Sequence, residues 1–276
     1  MLTEVVGAGG VRLSLRVAGA ANASAIVLVH GWAQSSLAWS AQLADQDLTR
    51  HYRLVAVDLR GHGGSDVPAL GYDDPRAWAE DLAAVLDFAG NGAPVVLVGW
   101  SYGGLVITDY LRVHGTTNIA GVVLTGAITE IGRNRPGGRI GPAMRAALPA
   151  ALSDDPGEAV PALTALCSGM SARPVDGPLT QSLLGTSLSV PPAVRAALFR
   201  RDVDSSVVLS GLDVPALVIH GTDDRVVDLS ASEYAAGKIA GARTRWMPGT
   251  GHLPFVEAAA EFNSALSQFA GERFAH

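Results

Sequence analysis

A single cysteine, Cys167, stands in the 276 residues. An internal disulfide is therefore excluded, and so is a thiolate metal cluster built by this chain alone. Cys167 lies in an apolar stretch and reads as a small buried residue. The chain also lacks basic blocks. Its 20 Lys and Arg are scattered against 26 Asp and Glu, for a net charge of −6. A polyanion would meet general repulsion, which argues against a nucleic-acid partner. Nor is there a long hydrophobic run: Ala25-Ile26-Val27-Leu28-Val29 falls far short of the ~20 residues that cross a bilayer. Glu4, Arg12 and Arg16 interrupt the N-terminal apolar residues, so a secretory signal with a continuous apolar centre is not seen. These absences predict a cytoplasmic protein with no membrane partner.

What is present is apolar content, 48% of the residues, enough for one large core. Short runs rich in Val, Ile and Leu recur at 26–29, 54–57, 95–98, 122–124 and 216–219. They do not alternate with polar residues, so they predict strands buried on both faces of a parallel sheet. Val11 to Val17 does alternate and predicts an antiparallel edge strand. Asp74-Pro75 is a cap and first-turn pair for a helix whose Trp78, Leu82, Val85 and Leu86 share one face and which Gly90 ends. After Pro254, residues Phe255, Ala259, Phe262, Leu266 and Phe269 have helical spacing and predict core packing. Between Ile128 and Gly211 the rhythm breaks, and nine of the fifteen prolines fall there. The division expected is a core of residues 1–127 and 211–276 with a helical cap, 128–210, inserted over the carboxyl ends of the strands.

Gly99-Trp100-Ser101-Tyr102-Gly103 carries the chemistry. It joins the strand-like Pro94-Val95-Val96-Leu97-Val98 to a helix-like segment, so Ser101 sits on a sharp turn whose flanking residues must be small. A serine hydroxyl needs a base, and the base an orienting group. His252 lies on the glycine-rich loop Gly249-Thr250-Gly251-His252, after the expected last strand Thr244 to Met247. Asp223 and Asp224 both follow the strand Ala216 to Ile219, and spacing alone does not choose between them. His30-Gly31-Trp32 follows the strand 26–29. The backbone N–H groups of Trp32 and Tyr102 are the natural pair for a developing oxyanion, which leaves their side chains free to line a pocket. His30 reads as a structural hydrogen-bonding residue and His62 as structural or at the pocket edge, while His51 and His114 read as solvated.

His30-Gly31-Trp32, Asp58-Leu59-Arg60-Gly61-His62-Gly63-Gly64-Ser65, the Ser101 turn, His220-Gly221 with its aspartates and Gly251-His252 stand in one order. In that order the chain resembles the α/β-hydrolases, close to the cofactor-free haloperoxidase and arylesterase-like branch. The resemblance covers nearly the whole chain outside the expected cap. It implies an α/β-hydrolase fold, a mostly parallel sheet flanked by helices, and a triad of Ser101, Asp224 and His252. It favours Asp224 because that family's acid stands third after the His-Gly pair. Asp228 departs from the family, which often has proline there.

The expectation is a serine hydrolase that cleaves an ester or related acyl bond of a small substrate through an acyl-enzyme, with no metal or organic cofactor. Trp32, Trp100 and Tyr102 are the expected substrate-binding side chains, and with the apolar residues of the cap they suit an apolar or aromatic group. Two alternatives stand beside it: acyl transfer to hydrogen peroxide with the same triad, and a ligand-binding sensor on a hydrolase fold. The oligomeric state is left open.

Overall fold

A computed structural model describes residues 1–174 and 176–275. Its centre is an eight-stranded sheet: β1 (Leu2–Val6), β2 (Arg12–Ala18), β3 (Ala25–Val29), β4 (Arg53–Val57), β5 (Val95–Trp100), β6 (Ile119–Thr125), β7 (Ala216–Gly221) and β8 (Arg243–Met247). The order is β1-β2-β4-β3-β5-β6-β7-β8. β1 and β2 are antiparallel, β2 pairs antiparallel with β4, and the others run parallel. This is the α/β architecture that the apolar runs predict. All five residues of β3 and of β4 are buried, as are all six of β5 and of β7. No alternation appears because no face meets water.

Two expectations are corrected. Arg12–Ala18 is antiparallel but is not the edge, because β1 pairs outside it. Leu2 and Val6 of β1 are mostly exposed and its inward face, Thr3 and Val5, is half-buried, so it leaves only a weak apolar signature in the sequence. The C-terminal segment is two helices, Pro254–Glu257 and Ala259–Phe274, broken at Ala258 with φ −135° and ψ 52°. Phe255, Phe262, Leu266 and Phe269 are nevertheless all buried.

The helix Pro75–Gly90 starts as expected: the Asp74 carboxylate accepts from the Arg76 N–H at 2.9 Å. It ends at Asn91, which takes the left-handed conformation. It packs beside Tyr102–His114, while Leu229–Lys238 packs against β7 and Ala259–Phe274 against β6. Residues between β6 and β7 form the helices Pro142–Ala151, Pro156–Ser168, Gly177–Ser189, Pro192–Phe199 and Ser206–Ser210. Prolines that interrupt the strand rhythm stand in the first turns of four of them, where a missing N–H costs nothing. Val175, inside that segment, lies outside the described residues. Among the described residues no helix is long and apolar enough to cross a membrane.

Candidate active site

Ser101 separates β5 from the helix Tyr102–His114 with φ 54° and ψ −120°, a conformation that side-chain-bearing residues rarely adopt. The turn closes because its neighbours have no side chains. A Cβ on Gly99 would lie 2.9 Å from the backbone of Gly103, and one on Gly103 would lie 2.5 Å from the Val29 carbonyl oxygen. Gly31 admits Ser101 in the same way, since a Cβ there would come within 2.8 Å of the Ser101 Cβ. Backbone bonds hold the strained residue: its N–H donates to Thr125 at 3.1 Å, and its carbonyl accepts from Gly104 at 3.0 Å and Ile128 at 3.1 Å.

Of the two aspartates, Asp224 meets the imidazole. His252 Nδ1 lies 2.7 Å from Asp224 Oδ2. Facing a carboxylate, Nδ1 carries the proton and Nε2 is left with the lone pair. Asp223 is exposed and accepts from the Thr222 hydroxyl at 3.2 Å. Asp224 is fixed from every side. Its Oδ1 accepts from the Val226 N–H at 2.7 Å and the Val227 N–H at 3.0 Å, and its Oδ2 also faces His220 Nε2 at 3.2 Å. Burial alone pushes this carboxyl up. The charge of His252 and the hydrogen bonds from His220 and His252 outweigh it and hold Asp224 well below the usual carboxylate range. Gly126, with φ +48°, makes room for the pair: a Cβ there would lie 3.3 Å from both Asp224 Oδ2 and His252 Nδ1. Gly126 follows Thr125, the acceptor for Ser101, so the serine turn and the Asp224–His252 pair share the carboxyl end of β6.

The backbone N–H groups of Trp32 and Tyr102 have no acceptor among the described residues. Tyr102 opens its helix, where the first N–H groups lack intrahelical partners. The side chains of Trp32, Trp100 and Tyr102 are all buried. Trp100 Nε1 donates to the His252 carbonyl at 2.9 Å and its ring meets Phe255 edge-on. The Tyr102 hydroxyl lies 3.3 Å from the Leu198 carbonyl and accepts from Arg201 Nη1 at 3.1 Å. Trp32 donates from Nε1 to the Arg195 carbonyl at 3.1 Å and meets Phe199 edge-on.

His30 and His62 are both buried. His30 Nε2 accepts from the Leu59 N–H at 3.0 Å, so its Nδ1 donates to the Gly31 carbonyl at 2.8 Å. Burial lowers the pKa of His30. Burial and the neighbouring His30 push His62 down to about 3. Both imidazoles are neutral supports of the loops that carry Trp32 and the segment Asp58 to Ser65. Asp228 caps the helix Leu229–Lys238, accepting from the Ser230 N–H at 3.0 Å.

Sequence reasoning missed the groups that hold the site. His220 was noted only as part of a motif, and its position four residues before Asp224 on a strand end is the signal that it carries. Glu257 accepts from Gly251 at 2.9 Å and from Ala172 at 2.8 Å. Arg195, buried with no carboxylate partner among the described residues, donates to the carbonyls of Ala151 at 3.0 Å and Val190 at 2.7 Å. Among the described residues no group of three or more His, Cys, Asp or Glu side chains could hold a metal ion.

A parallel sheet that delivers a serine, an acid and an imidazole in that chain order to the carboxyl ends of its strands is the arrangement of α/β-hydrolases. The chain belongs to the alpha/beta hydrolase family, whose model matches residues 26–265. It is 30% identical to the non-heme haloperoxidase of Rhodococcus erythropolis over 88% of this chain and 91% of that one. It is also 30% identical to the pimeloyl-[acyl-carrier protein] methyl ester esterase of Aromatoleum aromaticum, over 84% of this chain and 92% of that one. Among solved structures, the esterase RhEst1 from Rhodococcus sp. ECU1013 superposes with a TM-score of 0.93 at 48% identity, covering 98% of each chain.

Proposed function

We propose that this protein is a serine esterase in which Ser101 is the nucleophile, His252 the general base and acid, and Asp224 the group that orients the imidazole. The observation that carries the reading is the 2.7 Å bond from His252 Nδ1 to Asp224, which leaves Nε2 with a lone pair that can take the Ser101 proton. Ser101 Oγ adds to the ester carbonyl and gives its proton to Nε2. The Trp32 and Tyr102 N–H groups meet the oxyanion, and each such donor lowers the barrier by about 3 kcal/mol. Collapse expels the alcohol, which takes the proton from the imidazolium. Water then gives a proton to Nε2 as it attacks the acyl-enzyme, and the second tetrahedral intermediate collapses to the acid as the imidazolium returns that proton to Ser101 Oγ. Asp224 remains a carboxylate throughout.

Residues 128–210 act in this reading as a cap over the site. They supply Arg195, Leu198 and Arg201 to Trp32 and Tyr102, and the Met170 carbonyl to the His252 N–H at 2.6 Å. Trp32 and Phe199 favour a small substrate with an apolar group. A second reading, acyl transfer to hydrogen peroxide, is favoured by the haloperoxidase relative and uses the same residues. The sensor alternative has no observation of its own.

Burst kinetics with short and medium p-nitrophenyl esters test the proposal. A stoichiometric burst followed by turnover, both abolished in Ser101→Ala, is the expected result. Equal hydrolysis by the two proteins, or none by the folded wild type, overturns it. Acetate-dependent bromination with peroxide separates the second reading from the first.

A further inference from the structure

Asp224 Oδ2 is shared by two imidazoles. His252 approaches it through Nδ1 at 2.7 Å and His220 through Nε2 at 3.2 Å. The His220 tautomer follows from its surroundings. Its Nε2 faces two acceptors, Asp224 Oδ2 and the Val227 carbonyl at 3.2 Å, so this nitrogen carries a proton. Its Nδ1 lies 2.7 Å from the hydroxyl of Ser232, which donates to it when the ring is neutral. His220 is fully buried and Ser232 nearly so. The result is a chain, Ser232 to His220 to Asp224 to His252, that ends on the free Nε2 of the proposed base.

The groups around His220 leave it one charged hydrogen-bonding partner. Asp224 lies on its own turn, with His252 beyond that carboxylate. Asp228, at the start of the Ser232 helix, turns its carboxylate to Ser230. On β8 the paired residue is Trp246, and on the β6 side Gly126 bonds to the Ile219 carbonyl. No role in the esterase steps uses His220, and a buried imidazole directed at the orienting acid by a dedicated hydroxyl is more than packing requires.

We propose that His220 is a positioning residue for the reaction: its Nε2–H, shared between the Val227 carbonyl and Asp224 Oδ2 at 3.2 Å each, holds the Asp224 turn in place and takes up part of that oxygen's charge, which sets how strongly Asp224 stabilises the His252 imidazolium. This inference rests on the triad reading above. Without the His220 donor, the charge of Oδ2 falls on His252 alone. The imidazolium is then stabilised and the base is protonated in a larger fraction of molecules at a given pH. A neutral donor also keeps Asp224 an acceptor for His252 without adding a buried positive charge.

The pH dependence of kcat/KM with a p-nitrophenyl ester tests this in three proteins. In His220→Leu, the acid limb is expected to move up by about one pH unit, roughly a tenfold loss on that limb, with the activity partly recovered at high pH. In His220→Gln, whose side-chain amide can donate from nearly the same point, the limb is expected to return toward that of the wild type. A Leu variant with an unmoved limb, or a Gln variant displaced as far as Leu, overturns the proposal. Imidazole ¹⁵N spectra of the wild type give a reading that does not depend on whether a variant folds. His220 protonated at Nε2 and unprotonated at Nδ1 is expected at neutral pH, and the opposite tautomer overturns the proposal. Ser101→Ala is the control: if it keeps full activity the triad reading fails, whereas an inactive Ser101→Ala beside an unmoved His220→Leu limb refutes the role of His220 alone.

Discussion

The backbone N–H of His252 donates to the carbonyl of Met170 at 2.6 Å, so the loop that carries the proposed base is hydrogen-bonded to the segment inserted between β6 and β7. Glu257 reinforces the link by accepting from Gly251 on one side and Ala172 on the other. Glu257→Ala leaves both partly buried N–H groups without that acceptor. The expected loss of stability is about 1–3 kcal/mol, read by urea unfolding. Because the His252 loop loosens, kcat falls about tenfold or more, consistent with the sensitivity of catalysis to misplacement. Wild-type kcat in Glu257→Ala would refute the coupling.

Gly126 separates activity from stability. Its φ of +48° and the 3.3 Å approach to Asp224 and His252 make Gly126→Ala costly in two ways. The backbone conformation costs about 1–2 kcal/mol, a modest fall in melting temperature. The added methyl presses on the Asp224–His252 bond, so kcat/KM falls by more than the stability change explains. A variant that melts early yet keeps full activity would show that the pair has room to spare.

The buried ion pair of Arg201 and Asp109, at 2.6 Å, ties the segment after Pro192–Phe199 to the helix that Tyr102 opens. Burial pushes the Asp109 carboxyl up to about 6 even against Arg201. A raised carboxyl binds its proton more tightly in the folded state. Its contribution to stability is therefore full below the ordinary carboxylate range and is lost as the pH rises through about 6. Arg201→Met strands the carboxylate and is expected to cost about 3–5 kcal/mol at pH 8, and less at pH 5, where Asp109 takes up a proton. Chemical denaturation at the two pH values checks the difference; an equal loss at both contradicts it.

The parallel strands were legible in the sequence because burial on both faces leaves β3 and β5 free of charged, amide and hydroxyl side chains and β7 with one polar residue, His220. The serine turn was legible because its glycines answer steric contacts that any such turn imposes. β1 was not, since a half-buried strand at an exposed edge has little side-chain pattern to read. The break at Ala258 carries no proline or glycine, so Phe255 and Phe262 looked like one helical face. Trp100 and Tyr102 were legible as neighbours of the Ser101 turn, but what their side chains touch was not. Their hydrogen-bonding atoms are engaged by His252, Leu198 and Arg201, partners that only the tertiary structure supplies. His220 likewise stood in view, but its direction depends on where Ser232 lies.

Asp228 stands where the resembled family often has proline, and the structure gives it two bonds that proline would lack. Its carboxylate caps the helix Leu229–Lys238, and its N–H donates to the Arg139 carbonyl at 3.0 Å. Asp228→Pro fits the φ of −68° but removes both bonds. It is expected to lower stability by about 2 kcal/mol, one for the cap and one for the lost hydrogen bond. Asp228→Ser keeps the cap and the N–H and is expected to stay within about 0.5 kcal/mol of the wild type. Thermal unfolding of the pair decides it, and a proline variant as stable as the wild type would show that the Arg139 bond contributes nothing.

Ser101 itself stores strain that its replacement should release. At φ 54° and ψ −120°, alanine keeps the Cβ and the strain, whereas glycine removes both. A residue held in such a region costs about 1–3 kcal/mol, while glycine carries an entropy penalty of about 0.5–1 kcal/mol through the unfolded chain. Relief outweighs penalty, so Ser101→Gly should be more stable than Ser101→Ala by about 1 kcal/mol, with neither hydrolysing ester. Guanidinium unfolding of the two inactive proteins measures the difference free of any effect of turnover. Glycine less stable than alanine would mean that the surrounding bonds to Thr125, Gly104 and Ile128 have relaxed the turn, and that the proposed nucleophile is presented without stored energy.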